Sequence, residues 1–94
     1  MAKRRFTTQV ISQDGVLYYG ECDVLFVPGE HDTVAVMAYH EPMLMRLAAG
    51  KVMVREGHNT NQVAEIQHGI MYVGDNEVSV LVAKHGSVKE AITE

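Results

Sequence analysis

Between residues 14 and 50 the chain sets turn residues between short apolar runs in a regular order: DGVLYYGECDVLFVPGEHDTVAVMAYHEPMLMRLAAG. Asp14-Gly15 is a hairpin signal, and Gly20-Glu21 breaks the next run. Pro28-Gly29 closes a third run, His40-Glu41-Pro42 interrupts a fourth, and Gly50 resets the chain. Within the runs the dominant period is two. Val78, Val80 and Val82 alternate with Glu77, Ser79 and Leu81, and Val52 and Val54 alternate with Lys51, Met53 and Arg55. Successive side chains of a strand point to opposite faces, so this alternation, rich in β-branched residues, marks half-buried strands. Short strands with closely spaced turns point to an all-β sandwich or barrel.

The pattern predicts strands near 5–12, 16–21, 22–28, 33–38, 43–48, 51–56, 61–67, 69–74 and 77–83. A polar hairpin loop is expected over 56–61 and a tighter turn at Gly74-Asp75-Asn76. The segment from Met43 to Ala49 favours a helix by intrinsic propensity, a preference that tertiary context can override. Ser87-Val88-Lys89-Glu90 matches a capping box and predicts a helix of one or two turns.

The chain has 94 residues, enough for one small domain, and its 47% apolar content is close to the globular average. No apolar run approaches the roughly 20 residues of a membrane-spanning helix. The basic start, Lys3-Arg4-Arg5, is followed by no signal-peptide apolar core, so a soluble protein of a reducing compartment is expected. The formal net charge of −4 argues against general nucleic-acid binding, which depends on neutralising phosphates. Cys22 is the single cysteine, so it has no disulfide partner within the chain, and its apolar run predicts a buried, inert thiol. The sequence contains neither G-x-x-x-x-G-K-S/T nor G-x-G-x-x-G, the phosphate-cradling glycine motifs. The five histidines fit no standard ligand spacing such as H-E-x-x-H. No cofactor, metal or catalytic group is implied.

The ordered series resembles the amino-terminal β-sandwich of the epsilon subunit of the F-type ATP synthase. Asp14, Gly15, Val16, Leu17, Gly20, Glu21, Val27, Pro28, Gly29, His40, Pro42, Leu44, Leu47 and Gly50 match the family's usual residues. The resemblance continues through Val52-Met53-Val54-Arg55, through Gln67 to Val73, and through Asp75 to Ala83. It implies two antiparallel sheets packed face to face, about ten short strands in all. Residues 1–85 would form this domain, and 86–94 a short helical stub or tail in place of the family's two-helix arm. The resemblance also implies a non-catalytic rotor subunit. Such a subunit sits in the central stalk and couples the gamma subunit to the membrane c-ring during proton-driven ATP synthesis. It would be peripheral, on the cytoplasmic face of a bacterial plasma membrane.

The resemblance places His40, Pro42, Met43 and Met45 toward the gamma subunit. It places the loop Gly29, Glu30, His31, Asp32 and Thr33 toward the c-ring. Each assignment has a plainer counterpart. His40 can fix the turn before Pro42, the methionines can be ordinary core, and the acidic loop can be merely solvated. In a strand, Met43, Met45 and Leu47 share one side while Leu44 and Arg46 share the other. One side should be core and the other partly exposed. This chain also has Asp32, Ala35, Tyr39 and His68 where relatives usually carry glycine. Tyr39 and Ala35 are costly at a positive φ, so the 28–42 loop is expected to follow a different path. The alternatives of another class are a free-standing sandwich module with an unrelated partner, a diverged paralogue outside the synthase, and a small histidine-based enzyme.

Overall fold

The computed structural model describes residues 5–85, which form eight strands. They are β1 (Phe6–Ser12), β2 (Gly15–Cys22), β3 (Val24–Pro28), β4 (Thr33–Met37), β5 (Met43–Leu47), β6 (Gly50–Glu56), β7 (Asn59–Val73) and β8 (Glu77–His85). Hydrogen bonding runs in the order β2-β1-β8-β7-β6-β3-β4, with β5 also paired to β7. The pairs are antiparallel except β1 with β8.

β7 makes this path a sandwich. Its first half pairs with β6, from Asn59 opposite Glu56 to Ile66 opposite Gly50. Its second half pairs with β8 on one side and β5 on the other. The register shifts between Ile66 and Gly69, so the strand bends there and passes from one layer to the other. One layer is β2-β1-β8-β7-β5, and the second is β7-β6-β3-β4. Val10, Met71 and Val80 of the first layer and Leu25, Val36 and Val52 of the second are all fully buried in one cluster.

The chain is all-β, as the alternation predicts, but strands expected at 61–67 and 69–74 are a single one. His68, which the pattern leaves between them, forms with Gly69 a bulge and not a turn, so the nine strands of the pattern become eight among the described residues, where the resemblance implies about ten. The predicted polar loop over 56–61 contracts to a two-residue turn at Gly57-His58. Glu56 pairs with Asn59, and Gly57 has φ of 63°, the glycine position of a tight hairpin. The Gly57 amide donates to Asp23 Oδ2 at 2.6 Å, tying this turn to the β2–β3 junction. The Met43–Leu47 segment is extended: pairing to β7 overrides its helical preference. The helix predicted from Ser87 lies outside the described residues.

The 28–42 loop meets its missing glycines in two ways. Ala35 sits inside β4, where extended backbone suits any residue. Tyr39 does adopt the left-handed region, with φ of 70°. For a bulky residue that conformation costs on the order of 1–2 kcal/mol. The turn before Pro42 is made with Tyr39 in that strained conformation.

Candidate docking surfaces

β4 separates the two predicted loops, which lie at its opposite ends. At one end, the turn between β3 and β4 is closed by the Gly29 amide donating to the Asp32 carbonyl at 2.9 Å. A Cβ on Gly29 would lie 2.7 Å from that same carbonyl oxygen, so this close approach needs glycine. Glu30, His31, Asp32 and Thr33 are all exposed there. Arg46 and Met45 flank a shallow hollow beside them.

At the other end, the His40 amide donates to the Met37 carbonyl at 3.2 Å, and its Nδ1 lies 2.9 Å from the Glu41 carbonyl oxygen. These bonds hold the bend before Pro42, the structural role open to His40 from sequence. The bend faces the β7–β8 turn across an open hollow of about 700 Å3, lined by Arg5, Tyr39, Glu41 and Asp75 among others. Gly74 donates to the Glu77 carbonyl at 2.8 Å, and Asn76 takes φ of 58° to complete that turn.

Met43 and Met45, expected at a partner surface, are half-buried and pack against the core, with Leu47 beyond them. The outward positions of β5 are Leu44, 71% exposed, and Arg46. Leu44 lies opposite Tyr72, which is opposite Ser79, and Gln9 joins Ser79 to Tyr19. In the next row Arg46 lies opposite Ile70, then Leu81, Ile11 and Val16. Tyr72, Ile70, Leu81, Tyr19 and Val16 are all exposed. The outer face of the first layer is therefore largely apolar around the hydrogen-bonded Gln9 and Ser79 in its middle, a surface of a kind that marks interaction sites.

Leu44 and Arg46 were legible as a pair sharing one side of a strand. Ile70, Tyr72 and Leu81 were not singled out, yet a signal existed. In Ile70-Met71-Tyr72-Val73 and Val80-Leu81-Val82 both phases of the alternation are apolar. A strand apolar on both faces has a second face to cover.

The titratable groups do not converge on a reactive centre among the described residues, and no group of three or more potential metal ligands forms there. Cys22 is fully buried, and burial pushes its thiol above the ordinary value, with the Thr8 hydroxyl 3.4 Å away acting in the opposite direction. Burial also raises the Tyr18 phenol.

The family model "ATP synthase, Delta/Epsilon chain, beta-sandwich domain" matches residues 5–85. The chain belongs to this family. An ATP synthase epsilon chain of Caulobacter vibrioides is 35% identical over 85 residues, spanning 90% of this chain and 94% of the relative. One from Leptospira interrogans is 33% identical over 92 residues, 98% of this chain and 71% of the relative. In solved structures, a chain of the Euglena gracilis mitochondrial ATP synthase superposes with a TM-score of 0.77 at 19% identity. The match covers 99% of this chain and 63% of that one. A chain from the Tetrahymena thermophila central stalk and c-ring gives 0.70 at 15% identity, covering 96% and 72%. At these identities the two likenesses show a shared fold.

Proposed function

We propose that this chain is the non-catalytic central-stalk subunit of an F-type ATP synthase, coupling the gamma subunit to the c-ring during proton-driven ATP synthesis. The observation that carries the proposal is the match to a Caulobacter epsilon chain of nearly the same extent, 94% of which is spanned. The geometry fits a coupling part. The outer apolar face around Leu44, Ile70, Tyr72 and Leu81, continued by His40 and Pro42 at one end, is the surface for gamma. The exposed Gly29–Thr33 loop at the far end is the surface for the polar loops of the c-ring. Torque passes through a close-packed body that deforms little. Membrane association, at the cytoplasmic face of a bacterial plasma membrane, comes through the complex.

Depleting the cognate synthase of its epsilon subunit and adding back this chain tests the reading. Restored proton-coupled ATP synthesis in vesicles, with co-purification of gamma, is expected. Failure to bind the cognate gamma at micromolar concentration would leave the unrelated-module or paralogue reading instead.

A further inference from the structure

We propose that, before assembly, the chain pairs with a second copy of itself through the outer face of the first layer. This goes beyond the stalk reading, because it concerns the free chain and needs no other subunit. The occupant is named by the charges at the corners of that face. Arg46 stands on β5, at one corner of the apolar rows. Glu21 and Glu77 stand on β2 and β8 in the row beyond Leu44 and Tyr72, joined across Thr7. Arg46, Glu21 and Glu77 are all exposed, and none has an ion-pair partner among the described residues.

Arg46 and Glu21 thus occupy diagonally opposite corners, with Ile70, Leu81, Tyr72 and Gln9 between them. A two-fold axis lying in the face, oblique to the strands, sets each Arg46 against the partner copy's Glu21. It does so twice, as an isologous interface requires. The same rotation lays the two faces on each other with their cross-strand rows crossing. Five strands about 4.8 Å apart, over roughly 20 Å of strand length, give a face of about 500 Å2. Two such faces bury on the order of 1,000 Å2, the lower bound for specific association. The dimer is therefore weak, with a Kd of about 10–100 µM, and a larger or better-matched partner displaces it.

Sedimentation equilibrium of the full 94-residue chain, without gamma, tests this. The mean mass should rise from monomer toward dimer between about 1 and 300 µM, the range such a Kd dictates. Leu44→Arg should stay monomeric throughout. Arg46→Glu places like charges together twice and should weaken the dimer about tenfold. Adding Glu21→Arg to Arg46→Glu should restore most of the affinity. Circular dichroism of each variant reports that it is folded. A chain monomeric across the range, or a dimer indifferent to Leu44→Arg and Arg46→Glu, overturns the proposal. Gamma capture is a separate measurement, so a failure here is distinguishable from a failure of the stalk reading.

Discussion

Gly69 is where the first layer is least able to accept another atom. It lies at the bulge of β7, opposite Leu47 on β5 and Val82 on β8. A Cβ built there would sit 2.5 Å from the Leu81 carbonyl oxygen and 3.4 Å from the Val82 Cα. The clash is with backbone in mid-strand, and β8 is held on both sides, by β7 and by β1. Relief needs nearly 1 Å of movement in a paired strand. Overpacking of this kind costs about 1–3 kcal/mol, and the rigid neighbour puts it near the top of that range. Alanine's advantage over glycine within a strand returns about 0.5–1 kcal/mol. Gly69→Ala should therefore lose about 2 kcal/mol, close to 30-fold in the folding equilibrium. Gly20→Ala is the matched control. Its Cβ would meet only the far end of the Tyr18 side chain, the hydroxyl at 2.8 Å and Cζ at 3.2 Å, with no backbone in the way. It should change stability by less than about 0.5 kcal/mol. Urea unfolding followed by circular dichroism measures both, with midpoints compared at unchanged slope. Equal midpoints for the two variants would refute the reasoning, by showing that the bulge takes up the added methyl without disturbing β8.

Tyr39→Gly removes left-handed strain of about 1–2 kcal/mol but adds unfolded-chain entropy of about 0.5–1 kcal/mol. A gain of up to about 1 kcal/mol is expected in the same urea assay. Cys22 is held neutral by burial, its folded pKa above the ordinary value of 9.0. That stability is fully present below the unfolded thiol's pKa and is lost as pH rises through the folded pKa. Thermal melts should therefore fall above about pH 9, and less so in Cys22→Ala, although Tyr18 adds its own loss at higher pH. Leu44→Arg combined with Tyr72→Ala should weaken gamma capture by at least about tenfold, as loss of a central apolar anchor does. Met43→Leu should leave capture within about twofold, because that side chain packs against the core.

Period-two alternation and turn residues made most of the fold legible, because they act locally. The β1–β4 run shows this: Asp14-Gly15 and Pro28-Gly29 lie at strand junctions within a residue or two of where they were expected. Expectation failed where a residue has two local meanings. The pattern places a break at His68 and starts a strand at Gly69, yet Gly69 is a glycine of close approach inside one longer strand, and only the position of Leu81 reveals it. The cost of Tyr39 at a positive φ is legible in the sequence, but what opposes that cost is not. The bond that the His40 amide donates to the Met37 carbonyl, and the one between the His40 ring and the Glu41 carbonyl, hold the turn despite the strain. The candidate outer face was half legible for a third reason. Alternation assigned Leu44 and Arg46 to one side of β5, but which neighbours share that side depends on β5 pairing with β7, a contact across more than twenty residues of chain.

That pairing also explains how the two ends of the body can act together. β7 runs through both layers, and β5 and β6 hydrogen-bond to its two halves. β6 in turn holds β3, and β3 leads directly into the Gly29–Thr33 turn. A load applied at the Leu44–Tyr72 face thus reaches the Gly29 end through paired backbone, not through side-chain contacts alone. Backbone ladders deform less than a surface loop, whose local stability is lowest. Two irregularities interrupt this route, a register shift between Val52 and Met53 on β6 and the larger bulge at His68-Gly69, where β7 changes layer. If the body transmits torque, the bulge is where it should yield. Gly69→Ala, which crowds that point, should then reduce coupling of ATP synthesis to proton flow more than it reduces gamma capture. Equal losses in the two would show that its effect is only on stability.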